Sequence, residues 1–167
     1  MMMTKSMAPT DASTLIVYFS LSGTTARAAR RLQTLLQVPL VELQPLEPYP
    51  KHYEDYVRRA DAERLAQLLP ALRPTLLALE KYQTIWVGFP TWWHQPPQVI
   101  ATFFAYYDLA GKTIIPFTTN MSDPIDEALP VLAKWAEAAG ASLEPGLRVT
   151  TDQGALAKFV AANSHRR

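Results

Sequence analysis

The segment Ser20-Leu21-Ser22-Gly23-Thr24-Thr25 gathers four hydroxyl side chains around one glycine. It follows a short apolar run, Leu15 to Phe19, and opens a stretch that reads as helix from Ala26 to Gln37. At such a junction the first N–H groups of the helix lack intrahelical partners and point outward. Glycine lets a ligand approach the backbone, and hydroxyls can donate to oxygen. The combination suits a phosphate monoester. It contains no Lys, so it is not the loop of nucleotide triphosphatases, and it lacks the three-glycine dinucleotide spacing. The plainer reading is a strand-to-helix turn whose hydroxyls only cap the helix.

Two further groups carry chemistry. Pro90-Thr91-Trp92-Trp93-His94-Gln95-Pro96-Pro97 sets two indoles and an imidazole on a proline-stiffened segment. Thr118, Thr119, Asn120 and Ser122 offer groups that can bond the polar edge of a heterocycle.

The elements that must position these groups alternate between strand and helix. Strands are expected at Thr14 to Ser20, Leu40 to Leu43, Thr84 to Phe89, Lys112 to Thr118 and Leu147 to Thr151. The first, third and fourth are continuous apolar runs, the pattern of central parallel strands covered on both faces. In the first helix Ala28, Leu32, Leu35 and Leu36 share one face. Tyr53 to Leu69 and Thr75 to Leu79 form the next crossover, broken by Pro70 and Pro74. Val99 to Tyr107 follows, ended by Asp108-Leu109-Ala110-Gly111. Ile125 to Ala139 is entered through Asp123 as N-cap and Pro124 at the first helical position. Asp152 caps a last helix running to about Ala162.

This alternation predicts an α/β fold: one doubly wound, five-stranded parallel sheet with helices on both faces. Ligands of such sheets sit beyond the C-terminal strand ends. All three groups leave such ends, at Ser20 to Thr25, Pro90 to Pro97 and Thr118 to Pro124. A pair of indoles there can simply plug the core. Beside a phosphate turn, a flat aromatic ligand with a phosphate tail is the better reading, and flavin mononucleotide (FMN) fits that description.

The chain resembles the flavodoxin-like proteins, in particular a subgroup with a Trp-Trp loop after the third strand. The matching pieces are Val17 to Thr25, Pro48-Tyr49-Pro50 with Tyr53, Gly88-Phe89-Pro90-Thr91-Trp92-Trp93, and Asp108 to Thr119. They stand in order, correctly spaced, from Thr14 to about Arg148. The resemblance implies strand order 2-1-3-4-5 and FMN as cofactor. It assigns Ser20, Ser22, Gly23, Thr24 and Thr25 to the FMN phosphate. Pro90, Thr91, Trp92 and Trp93 would pack along the ring with His94 beside them, and Thr118, Thr119 and Asn120 would lie near its polar edge. One departure is present: the subgroup's Gly- and Ser-rich loop after the fourth strand is here Asn120-Met121-Ser122-Asp123-Pro124. Without glycine, fewer backbone N–H groups can approach the ring, so weaker FMN binding is expected.

Composition narrows the function. At 167 residues, 49% hydrophobic and 19% charged, the chain has the balance of one folded domain. The domain is expected over residues 14–163, between a leader at 1–13 that is not a signal peptide and a short tail at 164–167. A net charge of +1 gives no argument for a nucleic-acid partner or an anionic membrane. No apolar run has membrane-spanning length, and the cytoplasm is the default compartment. The absence of cysteine excludes disulfides, thiol catalysis and thiolate metal sites. His52 and His165 lack partners at metal spacing, so no metal is expected. No side chain is assigned as a catalytic acid or base, since a flavin carries its own chemistry.

The expected activity is electron transfer through non-covalently bound FMN, as a reductase of a small acceptor such as a quinone with NAD(P)H as donor. Two alternatives stay open: an electron carrier docking on protein redox partners, and a flavin-poor structural relative. With 16 basic against 15 acidic residues, no strongly acidic docking face is implied, which leans to the enzyme.

Overall fold

A computed structural model describes residues 13–74, 78–119 and 125–163. The three apolar runs become the middle of the sheet: β1 (Thr14–Tyr18), β3 (Thr84–Pro90) and β4 (Thr113–Thr119). β2 (Leu40–Glu42) flanks β1. At the other edge two short strands, β5 (Ser142–Leu143) and β6 (Leu147–Arg148), both pair with β4. All pairings are parallel and the order is β2-β1-β3-β4-β5, the order 2-1-3-4-5 implied by the resemblance, with β6 added.

Because successive strand residues face opposite ways, the sheet builds two cores. Leu15, Val17, Ile85, Val87, Phe89 and Ile114 pack on one face with α3 (Gln98–Tyr106) and α4 (Leu129–Ala139). Ile16, Tyr18, Trp86, Ile115 and Phe117 pack on the other with α1 (Thr24–Leu36) and α5 (Gln153–Asn163). The remaining helix, α2 (Tyr53–Ala66), lies against α3. Gly88 is required where β3 meets β4, since a Cβ there would stand 2.2 Å from the Phe117 ring. Lys112 is buried, and its ammonium donates to Leu79 O (2.7 Å) and Tyr82 O (2.6 Å), pinning the 3-10 turn Leu79–Lys81 beneath the sheet.

Four expectations need correction. The fifth strand, expected over Leu147 to Thr151, ends at Arg148 and gains an upstream piece at Ser142–Leu143. It is two pieces separated by Glu144-Pro145-Gly146, because Pro145 and the facing Pro116 of β4 each lack the N–H that a ladder needs. The helix expected from Ile125 is split into a 3-10 turn, Ile125–Glu127, and α4 starting at Leu129. Pro130 explains this, since its ring excludes a helical turn running through it from before. The helix from Tyr53 stops at Ala66, with Gln67 left-handed, rather than reaching Leu69. Leu35 is 40% exposed, about 90° round α1 from the centre of its buried stripe. Asp152 does cap α5, its Oδ1 accepting from the Ala155 N–H at 3.1 Å. The expected leader to residue 12, the tail at 164–167, the start of the Thr75 to Leu79 segment and the Asp123-Pro124 helix entry lie outside the described residues.

Candidate functional site

The chain leaves β1 through Phe19 and turns at Gly23, whose φ of 99° is left-handed. Ser20 folds back on this turn, its Oγ accepting from the Gly23 N–H at 3.1 Å. The first backbone bond of α1 runs from the Arg27 N–H to Gly23 O, so the N–H groups of Thr24, Thr25 and Ala26 precede the ladder. Among the described residues no side chain caps this helix end. Backbone N–H groups left without a side-chain cap in this way are of the kind that can meet an anion. Ser22 and Thr24 are exposed, with their hydroxyl oxygens 3.5 Å apart.

Thr25 behaves differently. It is buried, and its hydroxyl meets that of Thr119 at 2.7 Å. Thr118 is also buried and donates to Phe89 O at 2.9 Å, leaving its oxygen to accept from Thr91. The Thr91 N–H in turn donates to Thr119 O at 3.2 Å. Four threonines thus stitch the bases of three loops together. The sequence reading treats Thr25, Thr118 and Thr119 as side-chain donors to a ligand, but their hydroxyls are engaged within the protein. Threonine suits this task because its β-branched body packs in the sheet while its hydroxyl bridges neighbours. Asn120 lies outside the described residues.

Beyond Pro90, residues Trp92 to Gln95 form a two-residue hairpin turn. Trp92 and Gln95 exchange backbone bonds at 2.9 and 3.1 Å, and Trp93 and His94 sit at φ 50° and 62°. This turn sends the two indoles apart. Trp92 packs against Phe19, Tyr49 and Tyr56, with ring centroids 5.8, 5.6 and 6.3 Å away. Trp93 is 40% exposed, with the Arg64 guanidinium over its ring at 5.1 Å. The two indoles thus have unlike surroundings, and the left-handed turn is the cause. His94 is exposed and its Nδ1 contacts the Glu127 carboxylate.

Under Trp92 lies a network that motif reading does not find. The Tyr49 hydroxyl donates to Glu63 Oε1 at 2.5 Å, and the Arg59 Nε donates to Glu63 Oε2 at 3.0 Å. Arg59 also stacks on the Tyr49 ring at 4.1 Å. Burial, then the bond to Glu63 and its charge, raise the Tyr49 pKa well above the ordinary tyrosine value. The only sequence hint is Pro48-Tyr49-Pro50, which fixes the ring's backbone. A cleft of about 610 Å³ opens beside these groups. Its walls include Phe19, Ser20, Ser22, Tyr49 and Tyr56, so it joins the turn to the aromatic cluster. Its size lies within the range of small-molecule sites.

The family profile described as Flavodoxin matches residues 13–160. The chain belongs to the flavodoxin family. Among solved structures, this family member is similar to a provisionally assigned flavoprotein from Bacteroides eggerthii DSM 20697. The two are 28% identical with a TM-score of 0.83, over 92% of this chain and 99% of that one. A second such flavoprotein, from Bacteroides uniformis ATCC 8492, is 32% identical with a TM-score of 0.78, over 90% and 98%. A flavoprotein from Lactobacillus acidophilus NCFM, solved in complex with FMN, is 20% identical with a TM-score of 0.76, over 89% and 99%. That last likeness speaks to the flavodoxin fold. No curated protein sequence matches the chain.

Proposed function

We propose that the chain binds FMN non-covalently at this strand edge and serves as an FMN-dependent reductase of a small acceptor such as a quinone, with NAD(P)H as donor. The observation that carries the cofactor is the uncapped start of α1 beside an aromatic-walled cleft. The residues fit such a group. Gly23 holds a left-handed φ of 99°, which a side chain would strain. The N–H groups of Thr24 to Ala26 and the exposed hydroxyls of Ser22 and Thr24 hold the phosphate. The aromatic cluster offers a ring face to the flat part of the cofactor.

When bound, FMN supplies reversible electron and hydride transfer. The protein's own part is to bind, orient and shield. The four-threonine lattice holds the loop bases at fixed separation, and the Tyr49-Glu63-Arg59 network anchors the wall that Trp92 leans on. The near-neutral charge supports a small acceptor over an acid-steered protein carrier.

The test is direct. The purified protein should be yellow and release one FMN per chain on denaturation. The loaded protein should oxidise NAD(P)H when a quinone is added. A colourless protein that FMN does not titrate overturns the cofactor. A yellow protein inert to NAD(P)H and quinone, yet reduced by a flavodoxin reductase, makes it a carrier.

A further inference from the structure

Thr24, Arg27, Ala28 and Arg31 follow one another at helical spacing and present one face of α1. That face borders a cleft of about 520 Å³, closed opposite by Arg148 to Thr151 and bounded at the sheet by Thr119. Arg27, Arg31 and Arg148 line it, and among the described residues no Asp or Glu does. Arg31 Nη1 donates to Thr150 O at 2.6 Å, while its Nε and Nη2 are buried without a partner among the described residues. Among the described residues the Arg27 guanidinium donates only to the Thr24 hydroxyl, at 3.3 Å. None of the three makes an ion pair among the described residues.

This concentration is local, since the whole chain carries only +1. Like charges gathered in one cleft repel, and buried guanidinium N–H groups without acceptors are unfavourable. An oxyanion in the cleft relieves the repulsion, and a guanidinium fork matches its oxygens two at a time. The Thr150 and Thr151 hydroxyls on the cleft's rim add neutral donors. The N-terminus of α5 contributes little, because Asp152 already occupies it.

We propose that this cleft is a second oxyanion site, for a phosphate group distinct from the one held at the Gly23 turn. It rests on the FMN reading only in assigning that turn to the cofactor. Two sources share the chemistry: free phosphate-type anions, and the ribose phosphate of a dinucleotide.

The experiment titrates inorganic pyrophosphate into FMN-saturated protein by calorimetry at low salt. One saturable site is expected, weakened about tenfold or more in Arg148→Gln and in the exposed Arg27→Gln, and partly retained in Arg148→Lys. FMN affinity, read by fluorescence quenching, stays at the parent value in Arg148→Gln. NADP+ and NAD+ titrations then separate the sources. A tenfold preference for NADP+ places the phosphate on a dinucleotide, and equal weak binding beside tight pyrophosphate makes it a free anion. No saturable heat in the loaded parent overturns the proposal. So does an Arg148→Gln variant that loses FMN in proportion to pyrophosphate, because the arginines then serve the cofactor's own phosphate. If the parent takes up no FMN yet binds pyrophosphate through Arg148, the cofactor reading fails and the cleft stands.

Discussion

The turn at Gly23 and the turn at Trp93-His94 stand at one edge of the sheet, and both carry positive φ: 99° in the first, 50° and 62° in the second. In the first the residue is glycine, for which the left-handed region is free of clash. In the second the residues are large, and left-handed backbone costs them about 1–2 kcal/mol each. The difference separates two ways of presenting a surface. The glycine turn works through its backbone, exposing N–H groups ahead of α1. The aromatic turn works through side chains, sending one indole into the protein and one outward. Its unfavourable backbone is held in place by neighbours: Trp92 in the aromatic cluster, and His94 against Glu127.

Substituting the two indoles gives the largest expected effect. Trp92→Ala opens a void against Phe19 and Tyr49 and should destabilise the fold by about 3 kcal/mol in urea denaturation. Trp93→Ala should lose less than about 1 kcal/mol, with its main effect on FMN affinity. Equal losses in both would erase the distinction between an anchored and a presented ring.

The glycine turn comes next. Gly23→Val places a β-branched residue in left-handed backbone and should lose about 2 kcal/mol. FMN quenching should fall far more than in Ser22→Ala, where one charge-assisted bond is lost for about tenfold. If Ser22→Ala is the more damaging of the two, the hydroxyl rather than the backbone carries the turn.

Tyr49→Phe tests what holds the aromatic wall. It removes a hydrogen bond to the charged Glu63 and should lose about 1.5 kcal/mol at neutral pH. The pH dependence has a definite sign. The pKa of Tyr49 is raised in the folded state, so its contribution is complete below about pH 10, the ordinary tyrosine value, and declines as the unfolded chain ionises above it. The parent should therefore lose stability more steeply than Tyr49→Phe above that pH, measured as unfolding midpoint against pH.

The smallest effect concerns strain at His94. His94→Gly removes the imidazole and its Glu127 contact, yet should stay within about 0.5 kcal/mol of the parent, because relief of left-handed backbone offsets the loss. His94→Val should lose about 1 kcal/mol or more. If Gly and Val behave alike in thermal unfolding, the turn is not strained and the contrast between the two turns dissolves.

Much of this molecule is legible in its sequence, and the reason is periodicity. β1, β3 and β4 are apolar without interruption because both faces are covered, and α1 follows its glycine directly. Ser20 to Thr25 and Trp92-Trp93 are conspicuous for the same reason: their residue types clash with the apolar runs they end. Contacts made across the chain leave no such trace. Thr25 and Thr119 are 94 residues apart, and Arg31 and Thr150 are 119 apart. Which hydroxyls face inward and which guanidiniums share a cleft follow from helix docking, not from local spacing. The break in the last strand was foreshadowed by Pro145-Gly146, but its partner cause, Pro116, matters only once β4 is known to lie opposite.

That interrupted strand also governs how the molecule meets others of its kind. One border of the sheet is the three-residue β2, and the other is two fragments of two residues each, parted by Pro145. A border so short and broken offers no long row of unpaired amides on which another chain could lay itself as an added strand. Crowded copies are therefore kept from zipping edge to edge. A second chain seeking to add a strand finds little template at either border.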